Sequence, residues 1–133
     1  MNQLIFYSLN VNHSSLLGGI HDKLQTVSPD ILFLQEVCQD SDTLTNSLSR
    51  WGYTAVCSLS VDGGPGVGIV YKSHLPVLEV HALSPGSLQL LRLETGLNFL
   101  NLYAPSGNSG KPARREFFGD TLLRNLQHRA NLP

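Results

Sequence analysis

The chain has 133 residues, 41% of them hydrophobic, which allows one folded domain with a real core and excludes a disordered chain. Its formal net charge is −1, so the whole chain has no strong attraction for a polyanion, and Cys38 and Cys57 are too few for a disulfide framework. No apolar run approaches the ~20 residues that a membrane helix needs, and the N-terminus lacks a signal-peptide pattern. We therefore expect no membrane contact and an intracellular location, in the nucleus or cytoplasm.

The first part of the chain predicts strands that alternate with helices. The apolar residues of each helix recur at helical spacing, whereas those of each strand form a short continuous run. In chain order, the predicted elements are a buried strand at Leu4–Tyr7, a helix at Leu16–Val27, a strand at Ile31–Glu36 and a helix from Asp40 to Gly52. The continuous apolar run from Ile31 predicts that its strand is buried on both faces. This β-α-β-α order indicates parallel strands joined by crossover helices.

The second part predicts consecutive strands, each bounded by Pro, Gly or Ser. These strands are Tyr53–Leu59, Val67–Lys72, Val77–Leu83, Leu88–Leu93 and Leu97–Tyr103, followed by a polar loop at Ala104–Pro112 and a helix at about Ala113–His128. Consecutive strands with short connections indicate antiparallel pairing, and the first two form a hairpin. The fold class that satisfies both parts is α/β, with a mixed sheet and helices on one face.

Glu36 closes the apolar run that begins at Ile31. A carboxylate is costly to bury without a partner or a metal, and open α/β sheets bind ligands at the carboxyl ends of their strands. We therefore expect Glu36 to emerge at this edge of the sheet. The alternative is that Glu36 is merely the first solvated residue after a core strand.

Other polar residues also lie at predicted strand ends. Asn10 and Asn12 follow the first strand, and Tyr103 ends the last strand, with Asn108 as a further candidate in the next loop. One carboxylate with water and a substrate phosphate is a plausible Mg²⁺ site, and amide or phenol groups can orient a phosphate by hydrogen bonds. A structural alternative also stands, in which the asparagines are turn residues and Tyr103 is a core aromatic residue.

Charge is unevenly spread along the chain. Residues up to Tyr71 include two basic and six acidic residues, whereas those from Lys72 onward include seven basic and four acidic residues. Arg114 and Arg115 open the last predicted helix. This basic segment fits either contact with a phosphate backbone or the solvated face of a helix.

Several stretches together carry a family resemblance. They are Ser8–Asn12, Pro29–Glu36, Gly66–Tyr71, Asn101–Pro105 and Arg114–Phe118. In this order and spacing they resemble the endonuclease/exonuclease/phosphatase superfamily, and most of all the endonuclease domain that precedes the reverse transcriptase of LINE-type (non-LTR) retrotransposons. The resemblance implies the N-terminal half of a sandwich of two sheets with helices outside.

The resemblance also implies roles for single residues. Glu36 would be the metal-ligating carboxylate, Asn10 would help to hold the Mg²⁺ and phosphate end of the site, and Tyr103 would contact the scissile phosphate. Asn12, Asn108, Arg114 and Arg115 would support substrate binding. The implied reaction is Mg²⁺-dependent hydrolysis of a DNA phosphodiester, which leaves a 3′ hydroxyl that primes reverse transcription.

Two motifs of the family are absent from the sequence. The family carries a Gly-Asp-x-Asn strand and a C-terminal Asp-His pair, whereas neither Asp-x-Asn nor Asp-His occurs in this chain. We therefore expect residues 1–133 to form a single partial domain, truncated before the Asp-x-Asn strand, with its C-terminal half missing and little or no activity alone. The alternatives are a non-catalytic remnant that binds nucleic acid or protein, or another branch of the superfamily, such as an abasic-site nuclease or a phosphatase.

Overall fold

The computed structural model describes residues 3–12 and 18–103. The helices in this part are α1 (Gly18–Thr26) and α2 (Ser41–Leu48), and a 3₁₀ turn at Ser49–Trp51 follows α2. The strands are β1 (Phe6–Asn10), β2 (Ile31–Val37), β3 (Tyr53–Ser58), β4 (Gly66–Lys72), β5 (Val77–Ser84), β6 (Leu88–Leu93) and β7 (Asn98–Leu102). The predicted loop at Ala104–Pro112 and helix at Ala113–His128 lie outside the described residues. Neither α1 nor α2 is long and apolar enough to cross a membrane.

The strands form two sheets. The first has the order β1-β2-β4-β3, in which β1 and β2 are parallel and the other neighbours are antiparallel. The second is antiparallel, with the order β5-β6-β7. This arrangement confirms the mixed α/β fold class and the hairpin predicted between β3 and β4.

One face of the first sheet packs against both helices. The buried side chains that share this core are Ile20, Leu24, Leu32, Leu34, Val37, Leu44, Leu48, Tyr53, Ala55 and Val70. Strand β2 contributes Leu32 and Leu34 because alternate residues of a strand point to the same face. The helices thus lie on one face, as predicted.

The opposite face of the first sheet packs against the second sheet. Ile31, Phe33 and Ile69 contact Leu91 and Leu93 in a second core. The ring of Phe99 from β7 lies 5.6 Å from that of Phe33, measured between ring centroids. Strand β2 is therefore buried on both faces, which explains its continuous apolar run.

Strand β1 differs from its prediction in position and burial. It spans Phe6–Asn10, two residues later than predicted, and the side chains of Ile5, Phe6 and Tyr7 are 43%, 52% and 42% exposed. The prediction of a buried strand was wrong because β1 lies at an edge of its sheet. Asp30 fixes its start, since its Oδ2 accepts a hydrogen bond from the Ile5 amide at 2.8 Å.

Strand β3 lies at the other edge of the first sheet, and α2 covers it. Thr45 Oγ1 accepts a hydrogen bond from the Ala55 amide at 3.0 Å and donates to the Ala55 carbonyl at 3.0 Å. Ser41, one helical turn earlier, accepts from the Cys57 amide at 2.8 Å. These hydroxyls satisfy backbone groups that an edge strand otherwise leaves available for pairing.

Candidate metal and phosphate site

The candidate site lies where strands of both sheets end. Strands β1 and β2 are parallel, and Asn10 is paired with Gln35, one residue before Glu36. Tyr103 directly follows β7, which ends at Leu102. The topology therefore brings Tyr103 from the second sheet to the end of β2.

Glu36 is the extra residue of a β-bulge. Strand β2 continues to Val37, and its pairing with β4 shifts between Gln35 and Val37. The backbone φ of Glu36 is +57°, a left-handed conformation that costs a non-glycine residue ~1–2 kcal/mol. The sequence predicted a strand that ends at Glu36, whereas β2 continues to Val37 and a bulge within it sets the direction of the Glu36 side chain.

The bulge turns two consecutive side chains towards the second sheet. Leu34 and Val37 both lie in the core that faces the helices. Between them, the Gln35 amide donates to Asn101 Oδ1 at 3.0 Å, and Glu36 Oε1 accepts from the Tyr103 hydroxyl at 3.3 Å. Neighbours in a regular strand point to opposite faces, so the extra residue is what re-aims the carboxylate.

Tyr103 is a fixed hydrogen-bond donor. Burial, the charge of Glu36 and the hydrogen bond to Glu36 raise the pKa of the Tyr103 hydroxyl above its ordinary value. The hydroxyl therefore stays protonated at neutral pH. The Tyr103 amide donates to the Ser87 carbonyl at 2.8 Å, which anchors the residue beside β6. A phenol held in this way can donate to an oxyanion such as phosphate.

Asn10 and Asn12 form a local turn. The Asn12 amide donates to Asn10 Oδ1 at 2.8 Å, and Asn12 adopts a φ of +54°, as asparagine tolerates in turns. This contact gives the turn alternative a structural basis. The Asn10 side chain is exposed, and Asn10 is paired with Gln35, the residue before Glu36.

A chain of buried amides that the site prediction missed joins the two sheets. Asn101 and Gln89 are only 2% and 1% exposed. Gln35 links Ser8 to Asn101, and Gln89 donates to the Val56 carbonyl at 2.9 Å. An asparagine within the apolar Leu97–Tyr103 stretch was the available sequence signal, because a buried amide needs hydrogen-bond partners.

An open groove of about 640 Å³ lies beside this network, between β1 and β7. Its apolar walls come from Phe6, Tyr7, Phe33, Phe99, Leu100 and Leu102. Its polar atoms come from Ser8, Gln35 and Asn101. The groove therefore reaches the amides that support Glu36 and Tyr103, although neither of those two residues lines it.

The carboxylate donors of the site are few. Residues 3–12 and 18–103 contain no group of three or more His, Cys, Asp or Glu side chains that could hold a metal. A Mg²⁺ site can be built from one or two carboxylates together with waters and substrate phosphates, so a cluster of three such side chains is not required. Asn108, Arg114 and Arg115, the remaining predicted site residues, lie outside the described residues.

Several solved structures share the fold. A 3′ phosphatase from Neisseria bound to a product DNA hairpin aligns with a TM-score of 0.71 and 24% identity, over 96% of this chain and 52% of that one. An AP endonuclease from Archaeoglobus fulgidus aligns with a TM-score of 0.71 and 22% identity, over 98% and 53%. The endonuclease domain of TRAS1, a telomere-specific non-LTR retrotransposon, aligns with a TM-score of 0.62 and 15% identity, over 98% and 56%.

These alignments show a shared fold, and the chain spans about half the length of the structures it matches. No curated protein matches the sequence. The family model described as "Endonuclease/Exonuclease/phosphatase family" matches residues 7–133, nearly the whole chain. This match confirms the resemblance inferred from the motifs, and the chain belongs to the endonuclease/exonuclease/phosphatase family.

Proposed function

We propose that the chain carries part of the active site of a Mg²⁺-dependent DNA endonuclease. The observation that supports this function is the contact of the Glu36 carboxylate with the Tyr103 hydroxyl, 3.3 Å apart, where the strands of two sheets meet. A carboxylate beside a protonated phenol offers one group for a cation and one for a phosphate oxygen. Family membership and the phosphatase and endonuclease structures with the same fold support the same chemistry.

The proposed roles follow from the donor chemistry. Glu36 would hold Mg²⁺ through its carboxylate, and Asn10, on the neighbouring strand β1, through its side-chain oxygen. Tyr103 has one hydroxyl proton, so it would move its hydrogen bond from Glu36 to the scissile phosphate when the substrate binds. Asn12 supports the turn that orients Asn10. When bound, Mg²⁺ neutralises phosphate charge and polarises the phosphoryl group. Asn108, Arg114 and Arg115, outside the described residues, are proposed to bind the DNA substrate.

The catalytic set is incomplete within the chain. No Asp-x-Asn motif and no Asp-His pair occurs in the sequence, and these are the groups that, by family resemblance, position the water, stabilise the phosphoryl group and act as the base. A general base is worth ~10²–10⁴-fold in rate and an electrostatic stabiliser ~10²–10³-fold. We therefore propose that residues 1–133 are the N-terminal part of a domain whose full activity needs further residues.

Among the branches of the family, we favour the endonucleases of non-LTR retrotransposons. The order and spacing of the five sequence stretches support this branch, as does the shared fold of the TRAS1 endonuclease domain. The product of such an enzyme is a nicked strand with a 3′ hydroxyl that primes reverse transcription.

The decisive experiment measures metal binding by the purified chain. Mn²⁺ is paramagnetic and accepts the same oxygen ligands as Mg²⁺, so we expect it to broaden the side-chain NMR signals of Asn10 and Tyr103. Glu36→Gln should abolish this broadening. Glu79→Gln is the matched control, because it removes a carboxylate of β5 that pairs with Arg92 on the second sheet.

The control should leave the broadening unchanged. Equal broadening in wild type and Glu36→Gln would overturn the assignment of Glu36 as the metal ligand. Nicking of supercoiled plasmid in Mg²⁺ provides a second arm, in which the chain alone should cut at or near background. Rapid nicking that depends on Glu36 would overturn the incomplete-site part of the proposal.

A further inference from the structure

Asn101 joins three strands of the two sheets through one buried side chain. Its amide group donates to the Leu34 carbonyl at 3.1 Å and to the Gly68 carbonyl at 2.9 Å, and it lies 3.3 Å from Gln89 Oε1. Its own oxygen accepts from the Gln35 amide at 3.0 Å. Both the donor and the acceptor capacity of this amide are therefore used by the protein itself.

The two carbonyls lie at a specific place in the first sheet. Leu34 of β2 and Gly68 of β4 are opposed in the ladder, two residues before Glu36. One further regular pair follows, Gln35 with Val67, and the pairing then shifts between Gln35 and Val37. Asn101 thus tethers both strands one pair before the bulge that turns Glu36 towards the second sheet.

The same residue lies close to Tyr103 in the chain. Asn101 belongs to β7 and Tyr103 follows that strand two residues later, and the side chains of both contact β2. Asn101 accepts a hydrogen bond from Gln35, the residue before the bulge, and donates to the Leu34 carbonyl, whereas Tyr103 donates to Glu36, the bulge residue itself. These bonds of Asn101 and the backbone anchor of Tyr103 beside β6 together hold the two strand ends that carry the site.

We infer that Asn101 is the positioning residue of the Glu36–Tyr103 pair, through its amide bonds to Leu34 and Gly68. Gln35 assists, because its donation to Asn101 Oδ1 fixes which end of the amide faces the two carbonyls. The importance of Asn101 for catalysis rests on the proposed function. Its effect on the geometry of Glu36 and Tyr103 does not, so the geometric effect and the proposed function can be tested separately.

The test is the nuclear Overhauser effect between the Tyr103 ring protons and the Glu36 side chain in the full chain. Asn101→Leu keeps the volume of the side chain and removes its hydrogen bonds. We expect the Overhauser effect to be lost while the signals of the helix-facing core are retained. Gln35→Met removes the contact that orients the Asn101 amide, together with the Ser8 contact, and keeps the Asn101 side chain itself. It serves as the second variant if Asn101→Leu does not fold.

Gln89→Met is the matched control. Gln89 is as buried as Asn101, but its amide donates to the Val56 carbonyl of β3. The substitution removes the 3.3 Å contact between Gln89 and Asn101 and leaves the bonds of Asn101 to the first sheet in place. It should lower the melting temperature and leave the Overhauser effect intact. An Overhauser effect that persists in a folded Asn101→Leu or Gln35→Met variant would overturn the inference. If instead Glu36→Gln left Mn²⁺ binding unchanged, the proposed function would fail while the Asn101 result stood.

Discussion

Glu36 and Tyr103 are 67 positions apart in the sequence, and a hydrogen bond of 3.3 Å joins their side chains. The contact depends on the bulge, since a regular strand would direct Glu36 towards the helices beside Leu34 and Val37. The left-handed backbone of Glu36 is therefore part of how the site is built. Strain of this kind is often stored at functional positions.

This strain predicts an unusual order of stability among variants of Glu36. Glycine adopts positive φ freely, whereas alanine keeps the Cβ that makes the conformation unfavourable. We expect Glu36→Gly to be more stable than Glu36→Ala by ~1 kcal/mol, although both lose the carboxylate. Urea denaturation measures the difference. An alanine variant as stable as the glycine variant would show that the bulge is not strained.

The sequence predicted the parts of the fold that rest on local patterns. The continuous apolar run from Ile31 predicted a strand buried on both faces, and β2 packs against helices on one side and Phe99 on the other. Both helices and the β3–β4 hairpin follow from apolar spacing and turn residues in the same way. Such patterns report which face of an element is buried.

Position within a sheet is not a local property, and the predictions failed there. Residues 4–7 are as apolar as a central strand, yet β1 lies at an edge, because strand order depends on contacts distant in sequence. The bulge at Glu36 could not be predicted either, since Gln35 and Glu36 have the pattern of an ordinary strand end. The hydrogen bonds of Asn101 to Leu34, Gly68 and Gln89 were likewise unpredictable, because these residues are distant from it in sequence.

The contact of Thr45 with β3 predicts a measurable edge effect. Thr45→Val keeps the shape of the side chain and leaves the buried amide and carbonyl of Ala55 without their present partner. An unsatisfied buried group costs ~1–3 kcal/mol, so the free energy of unfolding should fall by that amount. Thr45→Ser retains the hydroxyl and should lose less. Equal losses for the two variants would show that packing, not hydrogen bonding, stabilises this edge.

The two cysteines should differ sharply in reactivity. Cys38 is exposed, whereas burial and the nearby charge of Asp40 raise the pKa of the Cys57 thiol from 9.0 to about 12. Because the thiolate is the reactive form, a thiol reagent at pH 8 should label Cys38 rapidly and Cys57 only after unfolding. Mass spectrometry of the labelled chain measures the extent of labelling at each cysteine. In the control variant Cys38→Ser, Cys57 is the one remaining cysteine, so the folded protein should stay unlabelled.

The same shift makes stability depend on pH. Between pH 9 and about 12 the folded state holds a proton on Cys57 that the unfolded state has lost, so stability falls as pH rises through this window. Cys57→Ala removes the titrating group, and its stability should fall less steeply than that of the wild type between pH 8 and 10. Parallel pH profiles for the two proteins would contradict the raised pKa of Cys57.

The exposed side of β1 predicts self-association. Among the described residues, β1 pairs only with β2, and Phe6 is 52% exposed beside the groove that β1 and β7 border. Unpaired strand edges with apolar side chains template pairing with further chains, and a charge on the edge opposes it. Sedimentation velocity should therefore show oligomers that grow with concentration, and Phe6→Lys should shift them towards monomer.

Val61→Lys is the matched control, because Val61 is 90% exposed in the β3–β4 loop rather than on a sheet edge. If Val61→Lys suppressed association as strongly as Phe6→Lys, added charge alone would explain the result and the β1 edge would have no special role.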